Sequence, residues 1–170
     1  MVKVILGGTF ECLHAGHSRL IDEAFALVKA DGGGFVQIGL TSDAMARAKS
    51  HDVSDYAARE RELRAYVSDL LSRLSLPSEC YFISRLDDPF GPSVSGEYDC
   101  IIVSPETRIG AEKINQARRE NGLHALQIKE VSFVLAEDAV PISSTRIHSG
   151  EIDRNGKIQS QKNQYSKNQK

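Results

Sequence analysis

Short runs of β-branched and aliphatic residues alternate with longer amphipathic stretches along residues 2–153, and this alternation constrains the fold more than any other feature of the chain. Val2–Leu6 is an apolar run ended by Gly7-Gly8, the pattern of a buried strand. From Gly16 to Ala30 the apolar positions Leu20, Ile21, Ala24, Phe25 and Val28 fall at helical spacing, and Asp31-Gly32-Gly33-Gly34 stops them. A second strand follows at Phe35–Leu40, after which Thr41 or Ser42 caps a short helix toward Arg47. Tyr56–Leu74 is a long helix whose stripe is Leu63, Tyr66, Val67, Leu70, Leu71 and Leu74. Its Arg59 and Arg61 read as surface ion-pair residues. Strands at Cys80–Ser84, Asp99–Val103 and Leu126–Phe133 bracket a helix over Ala111–Glu120, closed by Asn121-Gly122, and a last short helix starts at Ser143. Strands alternating with helices require right-handed crossovers, so the expected fold is one Rossmann-like, doubly wound α/β domain with a five-stranded, mainly parallel sheet.

The expected domain runs over residues 1–156, followed by a polar, disordered tail at 157–170. Four lysines and no acid in that tail leave −6 on the rest of a chain whose total is −2. A body of that sign is a poor partner for nucleic acid, since phosphate affinity grows with Lys and Arg contacts. The apolar runs fall far short of the ~20 residues that cross a bilayer, and the first one ends too early for a signal-peptide core. Three widely spaced cysteines, Cys12, Cys80 and Cys100, match reduced thiols in a cytoplasmic protein.

Ligands of doubly wound sheets collect beyond the carboxyl ends of the strands. That rule selects residues 7–17, 41–53, 104–110 and 141–147. In the first, Gly7 and Gly8 let backbone approach a polyphosphate, and Gly16 opens a helix whose free N–H groups favour anions. His14 and His17, three apart, face one side of the first helical turn and present imidazole donors to phosphate oxygens. The glycine spacing does not fit the G-x-G-x-x-G dinucleotide fingerprint. Cys12, His14 and His17 offer three of the four ligands that a structural zinc site needs. In the last segment, Ser143-Ser144-Thr145 supplies hydroxyls and a helix start, and Arg146 a forked cation. Two such turns closing on one another would hold a single triphosphate.

His14-Ala15-Gly16-His17 resembles the H-x-G-H signature of the nucleotidyltransferase superfamily, and Ile142–Arg146 its I-S-S-T partner. Leu40–Asp43, Lys49-Ser50-His51, Asp88-Pro89-Phe90-Gly91-Pro92, Val103–Thr107 and Ile114-Asn115 extend the resemblance over residues 2–153, to the phosphopantetheine adenylyltransferase family of archaeal and eukaryotic type. Glu11 stands where that family usually has Asp, and His148 where Arg commonly follows the I-S-S-T-R-I run.

The resemblance implies transfer of AMP from ATP to 4′-phosphopantetheine, giving dephospho-coenzyme A and pyrophosphate by direct in-line attack, with magnesium on the phosphates. It implies that His17 and Lys49 are catalytic. ATP would be bound by Gly8, Thr9, Phe10, His14, His17, Glu106, Thr107, Ser143, Ser144, Thr145 and Arg146, and the acceptor by Thr9, Lys49 and Phe90. Another nucleotidyltransferase of the superfamily, with a nicotinamide mononucleotide, FMN or glycerol-phosphate acceptor, and a catalytically silent nucleotide-binding module are the alternatives.

Overall fold

The computed structural model describes residues 1–49, without the Lys49 side chain, and residues 53–159. In chain order the elements are β1 (Val2–Gly8), α1 (Ala15–Ala30), β2 (Gly34–Thr41), α2 (Asp43–Lys49), α3 (Tyr56–Leu74), β3 (Tyr81–Leu86), β4 (Cys100–Val103), α4 (Arg108–Glu120), β5 (Gln127–Glu130) and α5 (Ser144–His148). All five strands pair in parallel in the order β3-β2-β1-β4-β5. The expected α/β architecture therefore stands.

Alternation along β1 divides the apolar residues between the two faces of the sheet. Val4 and Leu6 join Val36, Ile38 and Leu40 of β2 against Ile21, Phe25 and Val28 of α1 and Leu63 and Val67 of α3. Ile5, with Ile101 and Val103 of β4, packs on Ala111 and Ile114 of α4. Near-continuous apolar strands are what a sheet covered on both faces demands. A third, small cluster of Ala136, Ile142 and Ile152 lies beneath α5.

Element boundaries move where side-chain caps or edge pairing decide them. β5 is shorter than the 126–133 run predicts: the ladder with β4 runs from Gln127 to Glu130, and the Val131 amide adds one further bond to the Val103 carbonyl. Leu135 and Pro141 then form an isolated antiparallel bridge that leads into α5. Beyond residue 156 the chain still touches the body: Ile152 bridges Ile158, and the Ile158 amide donates to Glu137. Residues 160–170, most of the predicted tail, lie outside the described residues.

The chain builds β1, β2 and β3 outward in one direction, then crosses to place β4 on the other side of β1. The carboxyl ends of β1 and β4 therefore flank the topological switch point, where doubly wound sheets open a crevice. The β1–α1 turn and the segment after Val103 border that crevice.

Candidate active site

Between Gly8 and α1 the chain makes a tight excursion in which Phe10 and Cys12 both adopt positive φ, at 50° and 45°. Non-glycine residues occupy that region only where surrounding contacts enforce it. Here Phe10 is driven into the core, 1% exposed. The turn is also anchored from α3. Arg59 Nη1 donates to the carbonyls of Thr9 and Thr41 at 3.0 and 2.9 Å, Nε to the Ser54 carbonyl at 2.9 Å, and Nη2 to Asp43 at 3.0 Å.

Arg59 is thus a buried cross-link, 1% exposed, rather than the surface ion-pair residue that the sequence suggests. The missed signal was its phase: Arg59, Leu63 and Val67 recur every fourth residue on the stripe facing the core. A planar guanidinium with several fixed N–H donors can satisfy carbonyls from three loops at once. Arg118 does the same on the other side of the sheet, donating to the carbonyls of Ser93, Gly96 and His124, and it too lies in phase with Ala111 and Ile114.

A polarised chain follows from Arg59. Its Nη1 also reaches the Thr41 hydroxyl at 3.4 Å, and that hydroxyl donates to Thr9 Oγ1 at 3.2 Å. With its lone pair engaged, the Thr9 hydroxyl keeps its own proton for a ligand.

The two histidines meet as expected. Their rings stack with centroids 3.8 Å apart, and the His17 ring meets Phe10 edge-on at 5.4 Å. His14 is the N-cap of α1: its Nδ1 accepts from the Gly16 amide at 3.1 Å, so its proton is on Nε2. This explains the glycine between the histidines, because a Cβ at residue 16 would come within 3.0 Å of the capping ring. His17 Nδ1 is buried and, among the described residues, has no hydrogen-bond partner. A buried lone pair there costs less than a buried N–H, so the proton sits on Nε2, the nitrogen left to a ligand. Burial lowers the pKa of His14 to about 4 and that of His17 to about 3, the latter with a contribution from His14. Both rings are neutral donors at neutral pH.

The second turn lies directly on the first. Ser144 Oγ donates to the Glu11 carbonyl at 2.7 Å, and the Ala15 amide at the start of α1 donates to the Arg154 carbonyl at 3.0 Å. Ser143 caps α5, its Oγ accepting from the Arg146 amide at 3.4 Å, and Thr145 is exposed. The Arg146 guanidinium is already engaged: it pairs with Asp138 and with Glu151, and also donates to the carbonyls of Val140 and Pro141. Its first task is to fasten the 138–141 loop onto α5, since a fork held on several sides is not a loose cation.

Around Glu11 a further contact appears. Ser54 holds its carboxylate through amide and hydroxyl, both at 3.0 Å, and His148 Nε2 lies 3.2 Å from Oε1. The two positions that depart from the family pattern are therefore neighbours in space. Burial and the Glu11 carboxylate push the Cys12 thiol above its ordinary pKa, which leaves it a poor nucleophile. Its predicted partners as a metal ligand, His14 and His17, are committed to the helix cap and to the ring stack. Among the described residues, the groups within ligating distance of Cys12 are Glu11 and His148 instead.

The remaining predicted residues spread along the same sheet edge. Thr107 folds back on Ser104, its hydroxyl accepting from the Ser104 amide at 3.0 Å, which leaves Glu106 exposed beside the crevice. Phe90 is partly exposed on the turn after β3, where Asp88 accepts from the amides of Phe90 and Gly91. Lys49 ends α2; its side chain, like residues 50–52, lies outside the described residues.

The histidine pair at the start of α1 and the hydroxyl-rich α5 turn bonded to the same loop thus meet at the carboxyl edge of the sheet, where doubly wound folds bind ligands. The chain belongs to the cytidylyltransferase-like family, whose model matches residues 5–150. Its relatives include phosphopantetheine adenylyltransferases. It is 49% identical to the one from Methanosarcina acetivorans over 158 residues, 93% of this chain and 96% of the other. It is 44% identical to the one from Archaeoglobus fulgidus over 157 residues, 92% and 99% of the two chains. A crystal structure of a protein of unknown function from Archaeoglobus fulgidus superposes with a TM-score of 0.64 at 39% identity, covering 76% of this chain and 89% of that one.

Proposed function

We infer that this chain is a nucleotidyltransferase that joins the adenylyl group of ATP to 4′-phosphopantetheine, yielding dephospho-coenzyme A and pyrophosphate. The observation that carries the reading is the seating of the α5 turn on the β1–α1 turn, through Ser144 and the Glu11 carbonyl, beside a neutral histidine pair with free Nε2 donors. In the reaction an oxygen of the acceptor phosphate attacks the α-phosphorus as the bond to the β-phosphate bridge oxygen breaks, and pyrophosphate takes the electron pair. No covalent enzyme intermediate is needed, so the protein contributes position and charge stabilisation.

In this reading His17 Nε2 donates to the α-phosphate, and gains strength as negative charge builds there. His14 Nε2 serves the neighbouring phosphate. Thr9, its hydroxyl proton aimed outward by the Arg59–Thr41 chain, orients the attacking phosphate, a role that the family resemblance of Lys49-Ser50-His51 extends to Lys49. Gly8 and Phe10 shape the floor, Glu106 and Thr107 border the adenosine side, and Phe90 lines the acceptor side. The hydroxyls of Ser143 and Thr145 and the amides of the turn, that of Ser144 included, receive the β- and γ-phosphates, with Ser144 Oγ and Arg146 holding the turn in place. Magnesium, carried in with ATP, would offset charge on the phosphate oxygens. The Glu11, Cys12 and His148 cluster does not suit it, because a thiol and an imidazole favour a softer ion.

Incubation with ATP, magnesium and 4′-phosphopantetheine, read by the mass of dephospho-coenzyme A and by pyrophosphate release, tests the assignment. Product with nicotinamide mononucleotide, FMN or glycerol phosphate, and none with 4′-phosphopantetheine, would overturn the acceptor. No pyrophosphate with any acceptor would overturn the enzyme.

A further inference from the structure

Three potential metal ligands outside the reacting centre converge from two distant segments. Cys12 Sγ lies 3.5 Å from His148 Nε2 and 3.6 Å from Glu11 Oε1, and His148 Nε2 lies 3.2 Å from the same oxygen. A tetrahedral zinc-class ion, with bonds of roughly 2.3 Å to sulfur and 2.0–2.1 Å to nitrogen and oxygen, sets its ligands about 3.3–3.6 Å apart. The observed triangle has those sides already, so an ion can enter without moving the backbone. We propose that Glu11, Cys12 and His148 form a site for a zinc-class divalent cation that ties the β1–α1 turn to α5.

Chemistry and surroundings agree with that ligand set. A thiolate and a carboxylate balance a divalent charge, and imidazole completes a sulfur, nitrogen and oxygen set of the kind zinc accepts. On binding, the Cys12 S–H bond breaks, its proton passes to solvent, and the sulfur electron pair makes the metal bond. Ser54 orients the Glu11 carboxylate, its amide donating to Oε2 and its hydroxyl to Oε1, the outer-shell support typical of a metal site. The nearest other charges, Arg154 and Glu62, neutralise one another in an ion pair. His148 is 39% exposed, which gives the ion a way in and leaves its fourth position to water. Magnesium, an oxygen-seeking octahedral ion, should not compete. The site is therefore separate from the metal that accompanies ATP, and its existence does not depend on the acceptor assigned above.

The test is titration of the metal-free full-length chain with cobalt(II), followed by absorption spectroscopy and competition with zinc. The expected result is one equivalent bound with a thiolate-to-cobalt band in the near ultraviolet and the strong visible bands of a tetrahedral ion, both removed by zinc and unaffected by magnesium. Cys12→Ser should abolish the near-ultraviolet band while the buried Cys80 and Cys100 remain in place. His148→Ala, at an exposed position that tolerates truncation, should weaken cobalt binding at least about tenfold. A chain without the thiolate band, a band that survives Cys12→Ser, or unchanged affinity in His148→Ala would each overturn the site and leave the three residues as a hydrogen-bonded cluster.

Discussion

The β1–α1 turn and the α5 turn face one another across the site, yet they are held by opposite means. The first is anchored from the interior: Arg59, 1% exposed, fixes the Thr9 and Thr41 carbonyls, and Phe10 is sunk into the core. The second rests on a five-residue helix over a three-residue apolar cluster, and is fastened by Arg146 to the partly exposed Asp138 and Glu151. Buried, multiply bonded groups are unforgiving to remove, whereas ion pairs near water are screened and replaceable. The contrast assigns a division of labour. On the proposed function, the histidine side would be a fixed reference for the reacting phosphorus, and the serine side would adjust as pyrophosphate forms and leaves.

Arg59→Ala should break that contrast most severely. It removes the guanidinium donor from the buried Thr41 carbonyl and from those of Thr9 and Ser54, and unfolding in urea should register a loss of about 3 kcal/mol or more. A loss under about 1 kcal/mol would mean that the turn is held by packing alone. His17→Ala should leave stability nearly intact and lower turnover by about 10²-fold or more, the scale of losing a preorganised contact to the transition state, with ATP affinity little changed. Normal turnover in a folded variant would remove His17 from the chemistry. Arg146→Ala should act more gently, lowering the melting temperature less than Arg59→Ala, and the difference from the parent should shrink in molar salt, where screening reaches within a few ångströms. A salt-independent loss as large as that of Arg59→Ala would erase the distinction between the two turns.

The effect least visible at neutral pH is that of protons on the histidine side. The unfolded chain protonates His17 near pH 6.5, but the folded chain only near 3, because burial disfavours the cation. Protons therefore favour unfolding across that interval, and the group's contribution is complete above 6.5 and declines toward 3. In His17→Asn the dependence of stability on pH between those values should be shallower than in the parent. Parallel curves would show that the ring is not desolvated in solution.

Local chemistry was legible in the sequence, and long-range engagement was not. Gly7-Gly8, the paired histidines and the Ser-Ser-Thr start each declare themselves within a few residues, because backbone approach, helix capping and ring spacing are short-range properties. The five strands were legible for the same reason. What Arg146 touches was not, since Asp138 and Glu151 meet it only through the fold of an irregular loop. The Glu11–His148 contact joins residues from opposite ends of the domain, and nothing local marks it. Arg59 stands between these cases: its phase on the α3 stripe was readable, but a charged residue at a core position is usually taken for a surface one until the carbonyls that satisfy it are seen.

The hydrogen bond from Ser144 to the Glu11 carbonyl spans 133 residues of chain. During translation the histidine turn leaves the ribosome well before its counterpart. On the proposed function, a nascent chain that has formed the sheet without residues 143–148 would offer ATP only half a grip, so competence for adenylyl transfer would wait for that turn.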